Sequence, residues 1–334
     1  MGKKIAAIIL TLVFLAVLAG FIFNGFNNEP VIILFLGDSI AEGIAGMSPV
    51  SERENYAYYG IIGGCNNYIH RNRAVSGFKT SNLLELIKQP DKDVTMTQTL
   101  LREADIIHVS ILGNDLLLND LGGIIIFAAQ NDFTFLESIL SNSAKNFSNI
   151  VAMLKAYNPD ATLMFQTLYN PVFEDSTLIS ASSRAQLRDL GIEPEDYREL
   201  THKVLQRLNA VIRDYLEQNP GSFHIIDAYE EFENIYRQNP DRGRRLISID
   251  CIHPSSEGHG IMACLIQNKL QELGLANKDK ALKKYKYTKK DQLRRLYKDS
   301  VDVDGVSQRI DGAQSFEEVT EIYFDAIYNV MPIY

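Results

Sequence analysis

Val31–Leu36 reads VIILFL and runs without a break into Gly37-Asp38-Ser39-Ile40. Six consecutive apolar residues make a run of strand length with no polar face, the pattern of a central parallel strand covered on both sides. Three later runs repeat it: Ile106–Leu112 (IIHVSIL), Thr162–Leu168 (TLMFQTL) and Phe223–Asp227 (FHIID). Between them lie stretches of helical periodicity. Ala144–Tyr157 places Phe147, Ile150, Val151, Leu154 and Tyr157 on one stripe before Pro159, and Glu199–Leu216 does the same with Leu200, Val204, Leu208, Val211, Ile212 and Tyr215. Alternation of this kind predicts a parallel sheet with helices on both faces and ligands at the carboxyl ends of its strands.

The chain has 334 residues, 46% hydrophobic and 22% charged, which excludes a disordered, collagenous or polytopic membrane protein. A net charge of −9 argues against a nucleic-acid partner. Cys65, Cys251 and Cys264 are too few and too scattered for a disulfide framework or a zinc site. Residues 1–30 stand apart: Lys3 and Lys4 precede the uncharged run 5–23, long enough as a helix to cross ~30 Å of hydrocarbon. It predicts a transmembrane anchor with the remainder outside the cell membrane, or a signal peptide cleaved near Val17-Leu18-Ala19 that releases a secreted protein.

Four segments fall at the expected sheet edge: Gly37-Asp38-Ser39-Ile40, Ala74-Val75-Ser76-Gly77, Gly113-Asn114-Asp115 and Asp250-Cys251-Ile252-His253-Pro254, the last leading into Ser255-Ser256-Glu257-Gly258-His259. Taken singly each has a plain structural reading. Ser39 suits a helix N-cap, Gly77 a positive φ, and Asn114 a loop cap. Asp250 and His253 suit a structural pair or, with His259, a metal site lacking its fourth ligand. Asp38 and Asp115 read as hydrogen-bonding residues of loops and helix ends, and His70, His108, His202 and His224 as structural. In order and spacing, however, the four segments resemble the blocks of the SGNH hydrolases, or GDSL esterases and lipases, over about residues 31–272.

That resemblance implies a three-layer α/β/α, flavodoxin-like parallel sheet and a serine esterase that needs no metal or cofactor. It implies that Ser39 is the nucleophile, His253 the base and Asp250 the residue orienting the imidazole. It implies an oxyanion hole of the Ser39 N–H, the Gly77 N–H and the Asn114 side chain. The sequence departs from the family in two places. Ile40 stands for leucine, and the third block is Leu112-Gly113-Asn114-Asp115 where the family has Gly-x-Asn-Asp. The expected substrate is a small acyl ester, an O-acyl group such as acetyl on a carbohydrate being preferred for the expected extracellular location and for want of an apolar lid segment. The alternatives are an O-acyltransferase on a cell-wall glycan and a non-catalytic wall-binding or scaffold protein.

The organisation predicted is therefore 1–30 anchor or signal, 31–275 hydrolase domain and 276–334 a small helical C-terminal appendage. Residues 278–298 hold ten Lys/Arg against two Asp, a solvated face or a contact for anionic lipid or wall polymer. Ser315-Phe316-Glu317-Glu318 reads as a capping box ahead of an amphipathic helix that needs a surface to cover its apolar stripe. Ser300–Gly305 only faintly resembles the start of a calcium loop.

Overall fold

Five parallel strands form one sheet in the order β2-β1-β3-β4-β5: β1 Ile32–Gly37, β2 Ile69–Asn72, β3 Ile106–Ser110, β4 Thr162–Gln166 and β5 His224–Ile226. This is the doubly wound, flavodoxin-like order, in which strand order reverses between β1 and β3. The computed structural model describes residues 30–45, 50–92 and 96–330. Among them no helix is long and apolar enough to cross a membrane. The apolar run 5–23, and with it the expected anchor or signal, lies outside the described residues.

Alternation along the strands makes the layers. Leu34, Leu36, Ile107, Val109, Leu163 and Phe165 belong to a core shared with the helices Thr80–Lys88, Thr134–Tyr157 and Tyr197–Gln218. Phe147 meets Phe165 at 4.8 Å and Phe165 meets Phe223 at 4.8 Å between ring centroids. Burying each such ring contributes roughly 1.5–3 kcal/mol. On the opposite face Phe35 packs on Tyr58, and Gln166 reaches Met262, bringing in the helices Tyr58–Asn66 and Ser256–Glu272. The first long helix begins at Thr134, ten residues before its expected start, because Leu136 and Leu140 extend its buried stripe. β3 ends at Ser110, short of the expected Leu112, where its ladder partner Gly37 closes β1.

Residues 276–330 fold against the preceding α/β body through three helices, Lys278–Leu296, Val303–Gly312 and Phe316–Ile327. Ser315 caps the last by accepting from the Glu318 N–H at 3.1 Å, while Glu318 reaches back to the Gln314 N–H rather than to Ser315. Its buried stripe covers helix Ser256–Glu272, whose Gly260 leaves room for Thr320 and Phe324. The calcium reading fails here: Asp302 instead caps helix Val303–Gly312 by accepting from the Gly305 N–H at 3.0 Å. The basic stretch is not solvated throughout. Lys289 is 2% exposed, its ammonium lies over Tyr323 and Phe324 at 4.4 and 5.2 Å, and burial pushes its pKa down to about 8.

Candidate active site

The end of β1 is forced into its shape by a close approach. Gly37 has φ +136°, and a Cβ there would lie 1.8 Å from the Ser110 carbonyl oxygen, so no side chain fits. The Asp38 N–H then donates to that oxygen at 3.1 Å. Asp38, not Ser39, caps the short helix Ser39–Glu42, its Oδ1 accepting from the Ile40 N–H at 3.0 Å. The capping work thus falls to the preceding residue, and the Ser39 hydroxyl is left for another partner.

That partner is His253. Its Nε2 lies 2.8 Å from Ser39 Oγ, and its Nδ1 lies 2.6 Å from Asp250 Oδ2. Asp250 also organises its own loop, with Oδ1 accepting from Ser248 Oγ at 2.7 Å and from the N–H groups of Ile252 and His253 at 3.0 and 2.9 Å. The Ser248 N–H donates to the His253 carbonyl at 2.9 Å, and an isolated bridge between Ile247 and Pro254 closes the base. Tyr169, following β4, donates its hydroxyl to the Ile252 carbonyl at 2.7 Å and ties the loop to the sheet edge.

The two remaining blocks meet the same point. Gly77 has φ +82° with open space where a Cβ would be, and it lines one cavity with Ser39, Asn114 and His253. Asn114 stands in the short helix Gly113–Leu117, and its Nδ2 donates to the Phe78 carbonyl at 3.0 Å, joining the third block to the second. Asp115 reinforces that joint by accepting from the Thr80 N–H at 2.8 Å and from Thr80 Oγ1 at 2.6 Å. Position 112, where the family carries glycine, has φ +99° with a fully buried leucine, a conformation costly for a side chain.

Residues 35–261 match the model of the GDSL-like lipase/acylhydrolase family. The chain belongs to that family. It is an ester hydrolase. The uncharacterized protein YpmR of Bacillus subtilis (strain 168) is 23% identical over 260 residues, 75% of this chain and 85% of that protein. Among solved structures, the lipase Lip_vut3 from a goat rumen metagenome is 23% identical with a TM-score of 0.49, covering 74% of this chain and 99% of its own. A family 3 carbohydrate esterase of Clostridium thermocellum is 17% identical with a TM-score of 0.45, covering 75% and 100%.

Two residues outside the predicted set support this hydrolase site, Ser248 and Tyr169. Neither carries a sequence signal, since each acts through a contact that only the folded chain makes. Of the other residues weighed from sequence, His259 is fully buried and bonds the Ile44 carbonyl at 3.0 Å. His70 pairs with Glu54 at 2.8 Å, His202 with Gln206 at 2.8 Å, and His108 is buried under the sheet with its pKa pushed down to about 3. Among the described residues the three cysteines are free and no cluster of metal-ligating side chains converges.

A cavity of about 310 Å³ opens beside Ser39. Its far wall is apolar: Leu116, Leu121, Leu168, Val172, Leu178 and Leu205. Leu121 begins the helix Leu121–Ala129 (LGGIIIFAA), an apolar segment whose lining role was not read from the sequence.

Burial works against the charge of both acids near Ser39, with opposite outcomes. For Asp250 the hydrogen bonds from His253, Ser248 and two backbone N–H groups outweigh it and hold the carboxyl well below the usual range. For Asp38, 1% exposed, desolvation wins over the Ile40 N–H and the nearby His253, with Asp115 adding repulsion, and the pKa rises to about 7. In the unfolded chain Asp38 releases its proton near pH 4, in the folded protein only near 7. Between those values the folded state holds more protons, so this group's contribution to stability falls as pH rises. Asp38→Asn keeps the capping oxygen and removes the buried charge. Thermal melts should show it more stable than the wild type at pH 8, with the gap closing toward pH 4.

Proposed function

We propose that the chain is an exported serine esterase working through an acyl-enzyme, with residues 5–23 as the anchor of its catalytic unit. The observation that carries the mechanism is the unbroken relay Ser39 Oγ to His253 Nε2 at 2.8 Å and His253 Nδ1 to Asp250 Oδ2 at 2.6 Å. In this reading Ser39 Oγ attacks the ester carbonyl carbon while His253 Nε2 takes its proton. Ionised Asp250 holds the Nδ1–H tautomer and stabilises the imidazolium. The N–H groups of Ser39 and Gly77 and the second amide hydrogen of Asn114 hold the oxyanion. His253 returns the proton to the departing alkoxide, then takes one from a water that attacks the acyl carbon and hands it to Ser39 Oγ as the acyl–oxygen bond breaks and the carboxylic acid leaves.

The cavity modifies the expected substrate. Acetyl would use little of a space of about 310 Å³ walled by leucines, and the apolar lining supports an ester with a longer hydrocarbon acyl chain. The preference for a small group on a carbohydrate rested on the expected extracellular location and the lack of an apolar lid, and Leu116–Leu118 with Leu121 supply an apolar wall.

Three measurements test this reading. A fluorophosphonate probe should label Ser39, and Ser39→Ala should lose both the label and turnover, by a factor of at least ~10⁴; near-normal turnover would end the proposal. In a p-nitrophenyl ester series from acetate upward, kcat/KM should rise ~fourfold per methylene, the worth of about 0.8 kcal/mol of burial, until the cavity fills. A series that peaks at acetate returns the small-acyl reading. Asn114→Ala should lower kcat by about 10²–10³ with little change in KM. A loss below tenfold, with a clear drop in melting temperature from the missing bond to Phe78, would leave Asn114 a loop tie only.

A further inference from the structure

Helix Lys278–Leu296 has two faces with different fates. Ala281, Tyr285, Lys289 and Leu293 are buried against the hydrolase core, with Tyr285 stacked on Phe316 at 4.4 Å. At about 3.6 residues per turn, Lys280, Lys283, Lys284, Tyr287 and Arg294 share the outer face, and Lys298 follows just past its end. Lys280, Lys283, Arg294 and Lys298 are exposed and make no ion pair among the described residues. The acid on this face, Asp291, is taken by Arg295 at 3.3 Å. Tyr287, in the middle, is 65% exposed. A chain of net charge −9 therefore carries a stripe of unneutralised positive charge around an exposed aromatic ring.

The position of this stripe is specific. Ile32, the first residue of β1, pairs with Ile69, so Asn67 and Tyr68 lie at the amino edge of the sheet. The Tyr68 hydroxyl donates to the Leu275 carbonyl at 2.5 Å, and the Lys284 ammonium donates to Asn67 Oδ1. The basic helix thus starts beside the place where the chain enters the sheet. Further along, Gln292 donates to the Asn55 carbonyl at 3.1 Å.

We propose that this face docks on the surface of an anionic phospholipid bilayer, with Tyr287 entering the headgroup layer and Lys280, Lys283 and Arg294 facing the phosphates. Charge complementarity carries the proposal, since each basic residue near an anionic surface raises partitioning roughly fivefold. The ring selects a bilayer over a soluble polyanion, because an amphipathic tyrosine gains from the boundary between headgroup and acyl chain. The assignment stands independently of the esterase reading.

The chain contains no tryptophan, so Tyr287→Trp installs a single reporter in the full-length protein. After reconstitution into phosphatidylcholine vesicles with and without phosphatidylglycerol, its emission should shift to the blue and be quenched by brominated lipid only where the anionic lipid is present. High salt should reverse the shift. Adding Lys280→Glu, Lys283→Glu and Arg294→Glu should abolish it while p-nitrophenyl ester turnover is unchanged. Equal emission in the two vesicle types overturns the proposal, and that comparison needs no charge variant. An equal shift on adding soluble polyphosphate to the neutral vesicles also overturns it, making the face a polyanion site.

Discussion

Ser39 and His253 are separated by 214 positions in the chain and by 2.8 Å in space. No local preference brings them together, and much of the architecture serves to hold that one hydrogen bond. The sheet places the turn after β1 and the turn after β3 side by side where strand order reverses, the usual position for a site in this architecture. The close approach at Gly37 brings the Asp38 backbone against Ser110 and so sets the height of Ser39 above the sheet. From the other side Tyr169, Ser248 and the bonds into Asp250 determine where the imidazole stands. A hydrogen-bonded chain held from both ends in this way is pre-organised, which is what the proposed acyl transfer would require of it.

Such an arrangement carries a stability cost. Asp38 is buried to cap the helix that begins at Ser39, and desolvation raises its pKa to about 7. Leu112 occupies a positive φ two residues before Asn114. These are the local violations expected where structure is shaped for chemistry, and the packed layers beneath offset them. The same dry surroundings that penalise Asp38 strengthen every hydrogen bond around Ser39, because charge is poorly screened there.

The C-terminal helices are part of the folded body. Glu257, at the start of the helix that follows His253, is held by Arg242 and Arg245 at 3.1 and 3.3 Å, and Arg245 reaches on to Asp325 at 2.7 Å. The extension is thereby joined to the helix that follows the His253 loop. Its inner face explains Lys289, whose charge is held over aromatic rings, and its outer face keeps the charges that have no internal use.

By itself the sequence displayed the main elements and the residues that the fold gathers into one candidate site. Strand β1, the helical stripes through Phe147 and Leu208, and the ordered blocks around Ser39, Gly77, Asn114 and His253 were legible because they rest on local periodicity and short motifs, which a single chain displays without folding. Only the tertiary structure decided that Asp38 rather than Ser39 caps the helix, that Tyr169 and Ser248 brace the histidine loop, and that Leu121 and Leu178 wall the cavity beside Ser39. The physical reason is common to all of them. The Tyr169 bond and the cavity wall join atoms across tens of intervening residues, the two-residue contacts of Asp38 and Ser248 depend on turns whose shape distant packing sets, and a periodicity of two or 3.6 positions carries no record of either.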